Sequence, residues 1–273
     1  MRGSRSVTVL VLVVLAAALA PVYWMILASI TPDTKIGTWP PSLLYTNLPT
    51  LEHYRVAFIQ NPFGTYMINS AIISVVATFC VVTLGSLAAY AIARMPIRGA
   101  GPLMLITLII STFPPLSALM PLYSIFKDLH WLNSYQALIV PYVAFQLPFS
   151  IWILRNYFLG LPRELEESGY VDGASTMRIL YRIILPVSVP GMFTAALFTF
   201  FGCWTEFIMA LTFNSTTSSR TIAVGIGLFG GEYITAYGTM FAAATVCIVP
   251  IVLLVVIFNR WIISGLMSGA VKG

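Results

Sequence analysis

Apolar residues occupy this chain in long blocks, with few of the alternations that mark a half-exposed strand or a surface helix. Six blocks reach the roughly 20 mostly apolar residues that a helix needs to cross a bilayer. They predict spanning helices over about 8–30, 66–93, 101–126, 135–157, 183–213 and 237–264. The third block holds Pro114, Pro115 and Pro121, and the fourth Pro141 and Pro148. Prolines are tolerated in spanning helices when neighbouring helices re-satisfy the freed backbone groups, and broken helices also suit a protein that moves. The first block has the basic start and Ala-Leu-Ala of a secretory leader, but leader cores run only about 7–15 residues. This one continues through Val22, Trp24 and Ile26 to Ile30, and Pro21 follows the would-be cleavage point, so an uncleaved span is expected. The prediction is a single all-α, polytopic membrane domain over 1–273. The stretch from about 31 to 65, rich in proline, is expected to form an irregular cap with one short helix.

One polar interruption stands apart. Residues 161–182 carry Glu164, Glu166, Glu167 and Asp172, four of the nine acidic residues in the chain. Pro162 suits the first position of a helix, where its missing N–H is not needed. The glutamates then fall in the first turns, near the positive end of the helix dipole. Leu161, Leu165, Ser168 and Gly169 recur at helical spacing, so they are expected on one face, part apolar and part very small. Asp172-Gly173 signals a turn in which glycine takes positive φ, and Ser175 is placed to cap a second helix. Such a segment either lies on the bilayer surface or docks on another protein. Surface-lying helices favour Lys and Arg on their polar face, and acidic charge is repelled by anionic lipid. A protein partner with a groove is the better reading.

Composition adds solvent and orientation. The chain is 59% hydrophobic and 8% charged, with a mean hydropathy of +0.91. Soluble domains carry roughly 25% charged residues, so the surrounding solvent is lipid. The net charge of +5 comes from basic residues scattered between the apolar blocks, which argues against a nucleic-acid partner. Ten of the 14 Lys and Arg residues fall on the side that holds the N-terminus, the acidic segment and the C-terminus. The positive-inside rule makes that side cytoplasmic. Cys80, Cys203 and Cys247 lie inside apolar blocks without metal-ligand spacing.

Candidate chemistry is sparse. No phosphate-cradling GxxxxGK[ST] occurs, and the glycines of 225–231 lack a lysine and are followed by Glu232. Glu206 is the one carboxylate inside an apolar block. A charge at mid-bilayer costs about 2.5–3.5 kcal/mol on insertion scales, so such residues face a cavity or a partner. Trp204, Thr205 and Glu206 either line a translocation path or serve interhelical bonding. Asn69, Asn133 and Gln146 are expected to bond helices together, with Asn69 also a candidate for the translocation path. His53 and His130, in the outer loops, are expected to be solvated.

The acidic segment also resembles a known family. Glu166-Glu167-Ser168-Gly169, then Asp172-Gly173-Ala174-Ser175, with Leu185-Pro186 beyond, looks like the EAA loop of the inner-membrane permease subunits of bacterial ABC importers. Ser168 and Gly169 stand where the family has Ala-Ala; both are small. Asn69-Ser70, Ala89-Tyr90-Ala91 with Arg94 and Gly99, and Trp204-Thr205-Glu206-Phe207 follow the family's order. The last residues, through Gly269, Ala270, Val271, Lys272 and Gly273, are similar to the maltose-type carbohydrate branch. The resemblance implies a transport subunit and not an enzyme, in the bacterial or archaeal cytoplasmic membrane. It implies a second homologous permease, a dimer of cytoplasmic ATPases that bind ATP and Mg, and an extracytoplasmic solute-binding protein. The ATPase-coupling residues would be Leu165, Glu166, Glu167, Ser168, Gly169, Asp172, Gly173 and Ala174, with Gly269–Gly273 as a second contact. The docking grip is expected on Leu165, Ser168 and Gly169. An importer for a non-sugar solute, or a secondary carrier, is the alternative.

Overall fold

The computed structural model describes residues 2–36, 38, 49–230 and 236–270, with 2–6, 260 and 262–270 described by their backbone alone. Lipid cannot hydrogen-bond a bare backbone, so a spanning chain must satisfy its N–H and C=O groups internally. The described residues accordingly form helices. In chain order they are α1 (Arg2–Ser29), α2 (Asp33–Ile36), α3 (Glu52–Arg55), α4 (Phe63–Arg94), α5 (Ala100–Ser111), α6 (Leu119–Asp128) and α7 (Gln136–Leu159). There follow α8 (Glu164–Val171), α9 (Thr176–Ile179), α10 (Leu185–Val187), α11 (Val189–Thr205), α12 (Ile208–Phe213), α13 (Ile222–Leu228) and α14 (Tyr237–Ala270).

Four helices are long and apolar enough to cross a membrane alone: Val7–Ser29 of α1, α4, α7 and Tyr237–Asn259 of α14. Two further crossings require a bent pair each. Ala100–Ser111 and Pro115–Asp128 meet at 80°, and Thr176–Val187 and Val189–Thr205 at 76°. The apolar blocks at 101–126 and 183–213 therefore fold as bent pairs and not as straight helices. Proline disfavours helical geometry in the residue before it, and consecutive Pro114 and Pro115 apply that bias twice, with Pro114 extended at ψ 120°. In the second pair, Pro186 and Pro190 flank the bend at Ser188, after a π-helical stretch over Leu180–Ile184. The block's far end is also cut, since α11 stops at Thr205 and α12 starts at Ile208. Pro141 and Pro148, by contrast, sit inside an unbroken α7, both buried.

The long α4 is the axis. It packs chiefly on α7 and then on α11, while α14 packs on α11 and α1. Three clusters fill the interior. One surrounds Tyr90, Leu154, Phe158, Ile179 and Ile184, at the end carrying α8. A second surrounds Ile73, Phe126, Leu138 and Tyr142, and a third Phe63, Tyr66 and Trp204. Along α1, Val7 to Leu15 are exposed, as lipid-facing residues must be. The segment after α1 is more ordered than a cap with one short helix: α2, α3 and a π-helical stretch over Val56–Gln60 lie in it. His53 is not solvated. It is buried against Gly238, and its Nε2 lies 2.9 Å from the Thr31 carbonyl, which ties α3 to the end of α1 and the start of α14.

Candidate functional site

The acidic segment folds as a helix, a turn and a second helix. Helix α8 begins at Glu164 with Arg163 as its cap, two residues later than Pro162 would place it. Its end is a Schellman closure: the Gly173 N–H donates to the Tyr170 carbonyl at 3.0 Å, and the Ala174 N–H to that of Gly169 at 2.9 Å. Gly173 has φ +74°, the left-handed conformation that a side chain would strain. Ser175 then caps α9, its hydroxyl accepting from the Arg178 N–H at 3.4 Å.

Two faces of α8 do different things. Glu166 turns inward, with its side chain 11% exposed and Oε1 3.0 Å from Arg94 Nε. Its Oε2 accepts from the Tyr90 hydroxyl at 3.3 Å. The same guanidinium donates through Nη2 to the Phe158 and Leu161 carbonyls, each at 2.6 Å. Carbonyls at a helix end lack intrahelical partners, and Arg94, at the end of α4, donates to Phe158 in the last turn of α7 and to Leu161 just beyond it while holding α8. One cation therefore fastens three elements.

Gly169 also faces inward. A Cβ there would stand 2.9 Å from Ile179 Cγ1 and 3.1 Å from Ile183 Cδ1, tighter than ordinary packing. Leu161 and Ala174 pack on the same cluster. The face expected to grip a partner is therefore split: Gly169 and half-buried Leu165 sit toward the body, and Ser168 outward. Small residues permit close approach by any neighbour, and the neighbour of Gly169 is the chain's own α9 and the turn beyond it. The outward face is Glu164, Glu167, Ser168 and Val171, at positions i, i+3, i+4 and i+7. Val171 is 88% exposed.

A cavity of about 280 Å³ opens between the two sets of broken helices. Pro114 and Pro115 at the α5–α6 bend line one side, and Gly202 and Glu206 at the end of α11 another, with Tyr142 and Gln146 of α7 between. Glu206 is extended, at ψ 130°. Its Oε1 accepts from the Met209 N–H at 2.8 Å and its Oε2 from the Ala210 N–H at 3.0 Å. The Tyr142 hydroxyl donates to Oε2 at 2.7 Å. The carboxylate thus caps α12 and ties the break to α7.

The other residues expected on a path lie elsewhere. Trp204 is buried, stacks on Phe200 with ring centroids 5.4 Å apart, and donates to the Cys247 carbonyl at 3.2 Å. It belongs to the α11–α14 packing. Thr205 is exposed and bonds back to the Phe201 carbonyl. Asn69 donates to the Ser218 and Arg220 carbonyls and accepts from the Tyr135 hydroxyl. Asn133 accepts from the Ser215 and Thr216 N–H groups. Both asparagines bond elements together; Gln146 makes no side-chain hydrogen bond among the described residues. Its amide lies over Gly202, where a Cβ would overlap it. The available signal for this pair was a glycine one helical turn before Glu206. Gly269 and Ala270 continue the backbone of α14, whereas Val271, Lys272, Gly273 and Glu232 lie outside the described residues.

Comparisons with known proteins agree with this arrangement. The trehalose/maltose transport system permease protein MalG of Thermococcus litoralis is 40% identical, over 93% of this chain and 92% of that one. The sulfoquinovosyl glycerol transport system permease protein SmoH of Agrobacterium fabrum is 35% identical, over 96% and 91%. Among solved structures, a bacterial ABC transporter involved in import of the acidic polysaccharide alginate superposes with a TM-score of 0.78. That match covers 96% of this chain and 98% of the other at 18% identity, a likeness of fold. Residues 81–267 match the family described as binding-protein-dependent transport system inner membrane component, and the chain belongs to that family.

Proposed function

We propose that this chain is the membrane permease subunit of an ATP-driven, binding-protein-dependent sugar importer. It works by alternating access with a second, homologous permease. The observation that carries the reading is α8: an acidic helix whose inner face is fastened to α4 and α7 by Arg94 and whose outer face is left open. The close relatives named as sugar permeases support the cargo class.

The two bent pairs count as one span each, giving six. The bias of the basic residues supports a cytoplasmic position for α8 and both termini. There a dimer of ATPase subunits holds ATP and Mg, one subunit seated on Glu164, Glu167, Ser168 and Val171, with Gly269–Gly273 as its second contact. The nucleotide chemistry belongs to that partner, and this chain is a transport subunit, not an enzyme. The ATPase biases the permease only if it grips inward- and outward-facing states with different free energy. Closure of its dimer moves α8, and the stiff end around Arg94 passes that motion to α4 and α7 as rigid bodies. Gly173 sets the exit direction of the chain from α8. On the outer side a solute-binding protein delivers the sugar. Of the residues expected on the path, Glu206 lines the cavity and holds the break beside it; Trp204 and Asn69 bond elements of the chain together, and Thr205 is exposed.

Affinity purification of the chain from its native membrane tests this. It should bring out a second permease and two copies of an ATPase. Recovery of the chain alone, active in proton-driven uptake, would establish a secondary carrier instead.

A further inference from the structure

The wall of the cavity between the broken helices carries one polar side chain, Gln146, that makes no hydrogen bond among the described residues. We propose that it is a subsite for one ring of a polyhydroxylated solute, with the Gln146 amide as its orienting contact and Gly202 as the position that sets its size. The inference rests on the sugar-importer reading and gives this subunit a direct contact with the cargo.

Three observations lead to it. First, Gln146 carries two donors and an acceptor, and none is used within the described chain, although neighbouring Tyr142 and Glu206 are bonded to each other. A half-buried amide in a cavity wall can pair with an incoming solute, and sugar hydroxyls both donate and accept. Glu206 uses three of its roughly four acceptor positions on Tyr142, Met209 and Ala210, which leaves one for a hydroxyl. Second, the space suits a single ring. At about 280 Å³ the cavity stands at the small end of ligand pockets, which run from about 300 Å³. Its walls are mainly apolar with few polar groups, the usual balance of a ligand site, and Phe145 and Tyr142 are aromatic residues in its lining. Third, the depth is right. Gln146 lies ten residues into the 24 of α7, so about 15 Å along a helix rising 1.5 Å per residue. That is near the middle of the span, beside interrupted helices, where transporters hold their cargo.

Gly202 follows from the same geometry. Any side chain there would overlap the Gln146 amide and push it into the cavity. Glycine at 202 leaves room for the amide, whose Nε2 is the atom nearest to it, and both residues line the cavity.

The test uses the whole transporter in proteoliposomes, with its partner permease, ATPase and binding protein, and labelled trehalose and maltose as probes. Gln146→Leu, which keeps volume and removes the amide, should lower uptake tenfold or more. ATP hydrolysis stimulated by the loaded binding protein should stay within twofold of wild type. Gly202→Ala should show the same split with a smaller loss, about threefold to fivefold. Wild-type uptake by Gln146→Leu would overturn the subsite, and would point to a side chain of the partner permease as the occupant. Equal losses of uptake and hydrolysis in both variants would overturn it too, in favour of a structural role. If the wild-type complex hydrolyses ATP in response to its binding protein yet imports neither trehalose nor maltose nor any other sugar of a panel that includes sulfoquinovosyl glycerol and diacetylchitobiose, the sugar reading fails, and this proposal with it.

Discussion

The end of the molecule that carries α8 and the region around the cavity are built on opposite plans. At the α8 end, a buried cation and carboxylate meet, the carbonyls at the close of α7 find a donor, and Tyr90 packs edge-to-face on Phe158 with centroids 6.2 Å apart. At the cavity, helices are interrupted at Pro114 and at Glu206, and an amide is unused. In the proposed importer, the contrast separates two tasks. A segment that receives a push from a partner must not deform locally, or the push is lost before it reaches the spans. A segment that opens and closes around a solute needs interruptions, because an intact helix resists bending. Both plans share α7, whose one end is held by Arg94 and whose middle carries Gln146.

The sharpest way to break this contrast is at Arg94. Replacing one member of a buried pair leaves an uncompensated charge, a loss of about 3–5 kcal/mol. Arg94→Met strands Glu166 and also frees the Phe158 and Leu161 carbonyls. The purified complex should melt at a clearly lower temperature, and uptake per ATP hydrolysed should fall. Arg94→Met with Glu166→Met should recover much of the melting temperature, because two apolar side chains replace the pair. It should not recover the coupling ratio, since α8 then loses its tie to α7. An Arg94→Met complex that melts like wild type would mean that the α8 end is no stiffer than the cavity region.

Much of this architecture was legible in the sequence, and the failures share one cause. Spans are written in local hydropathy, so the ends of α4, α7 and the apolar part of α14 fall within a few residues of expectation. The turn after α8 is written in the chemistry of Gly173. Direction is not written locally. Pro114 breaks its helix and Pro148 does not; the difference lies in the second, adjacent proline and in neighbours that pack around Pro148. Gly169 reads as a landing for a partner because small residues accept any close neighbour, and only the folded chain shows that Ile179 and Ile183 already stand there. Arg94 looks like a residue of the span's edge until Glu166, 72 positions later, is seen beside it. Trp204 was drawn toward the path by its neighbour Glu206, yet the helix ends between them and sends the two in different directions.

A smaller effect is expected at Gly169. Leucine there must displace Ile179 and Ile183, and overpacking of a filled site typically destabilises by about 1–3 kcal/mol. Gly169→Leu should tilt α8 away from α9 while leaving the Arg94 pair intact. Uptake per ATP should drop several-fold in vesicles, with the ATPase still bound on co-purification. If the ATPase were lost altogether, Gly169 would be a partner contact after all, and the inward assignment of that face would be wrong.

The smallest effect on the fold, and the cleanest test of direction, belongs to Val171. It is 88% exposed and makes no use of that exposure within the chain. Substitutions at such positions usually shift stability by no more than about 0.5 kcal/mol. Val171→Asp should therefore leave the melting temperature of the isolated permease pair unchanged. It places a further carboxylate on a face that already carries Glu164 and Glu167, and it removes the one large apolar group there. A partner groove that takes Val171 must then desolvate a charge, so affinity for the ATPase should fall at least tenfold in a titration of permease vesicles with purified ATPase. Because the change reaches neither Arg94 nor Gly169, any uptake that survives should keep the wild-type ratio to hydrolysis. Loss of grip with coupling preserved separates the face that is touched from the face that transmits. Loss of coupling with grip preserved would merge the two and remove the reason for α8 to have an inside and an outside.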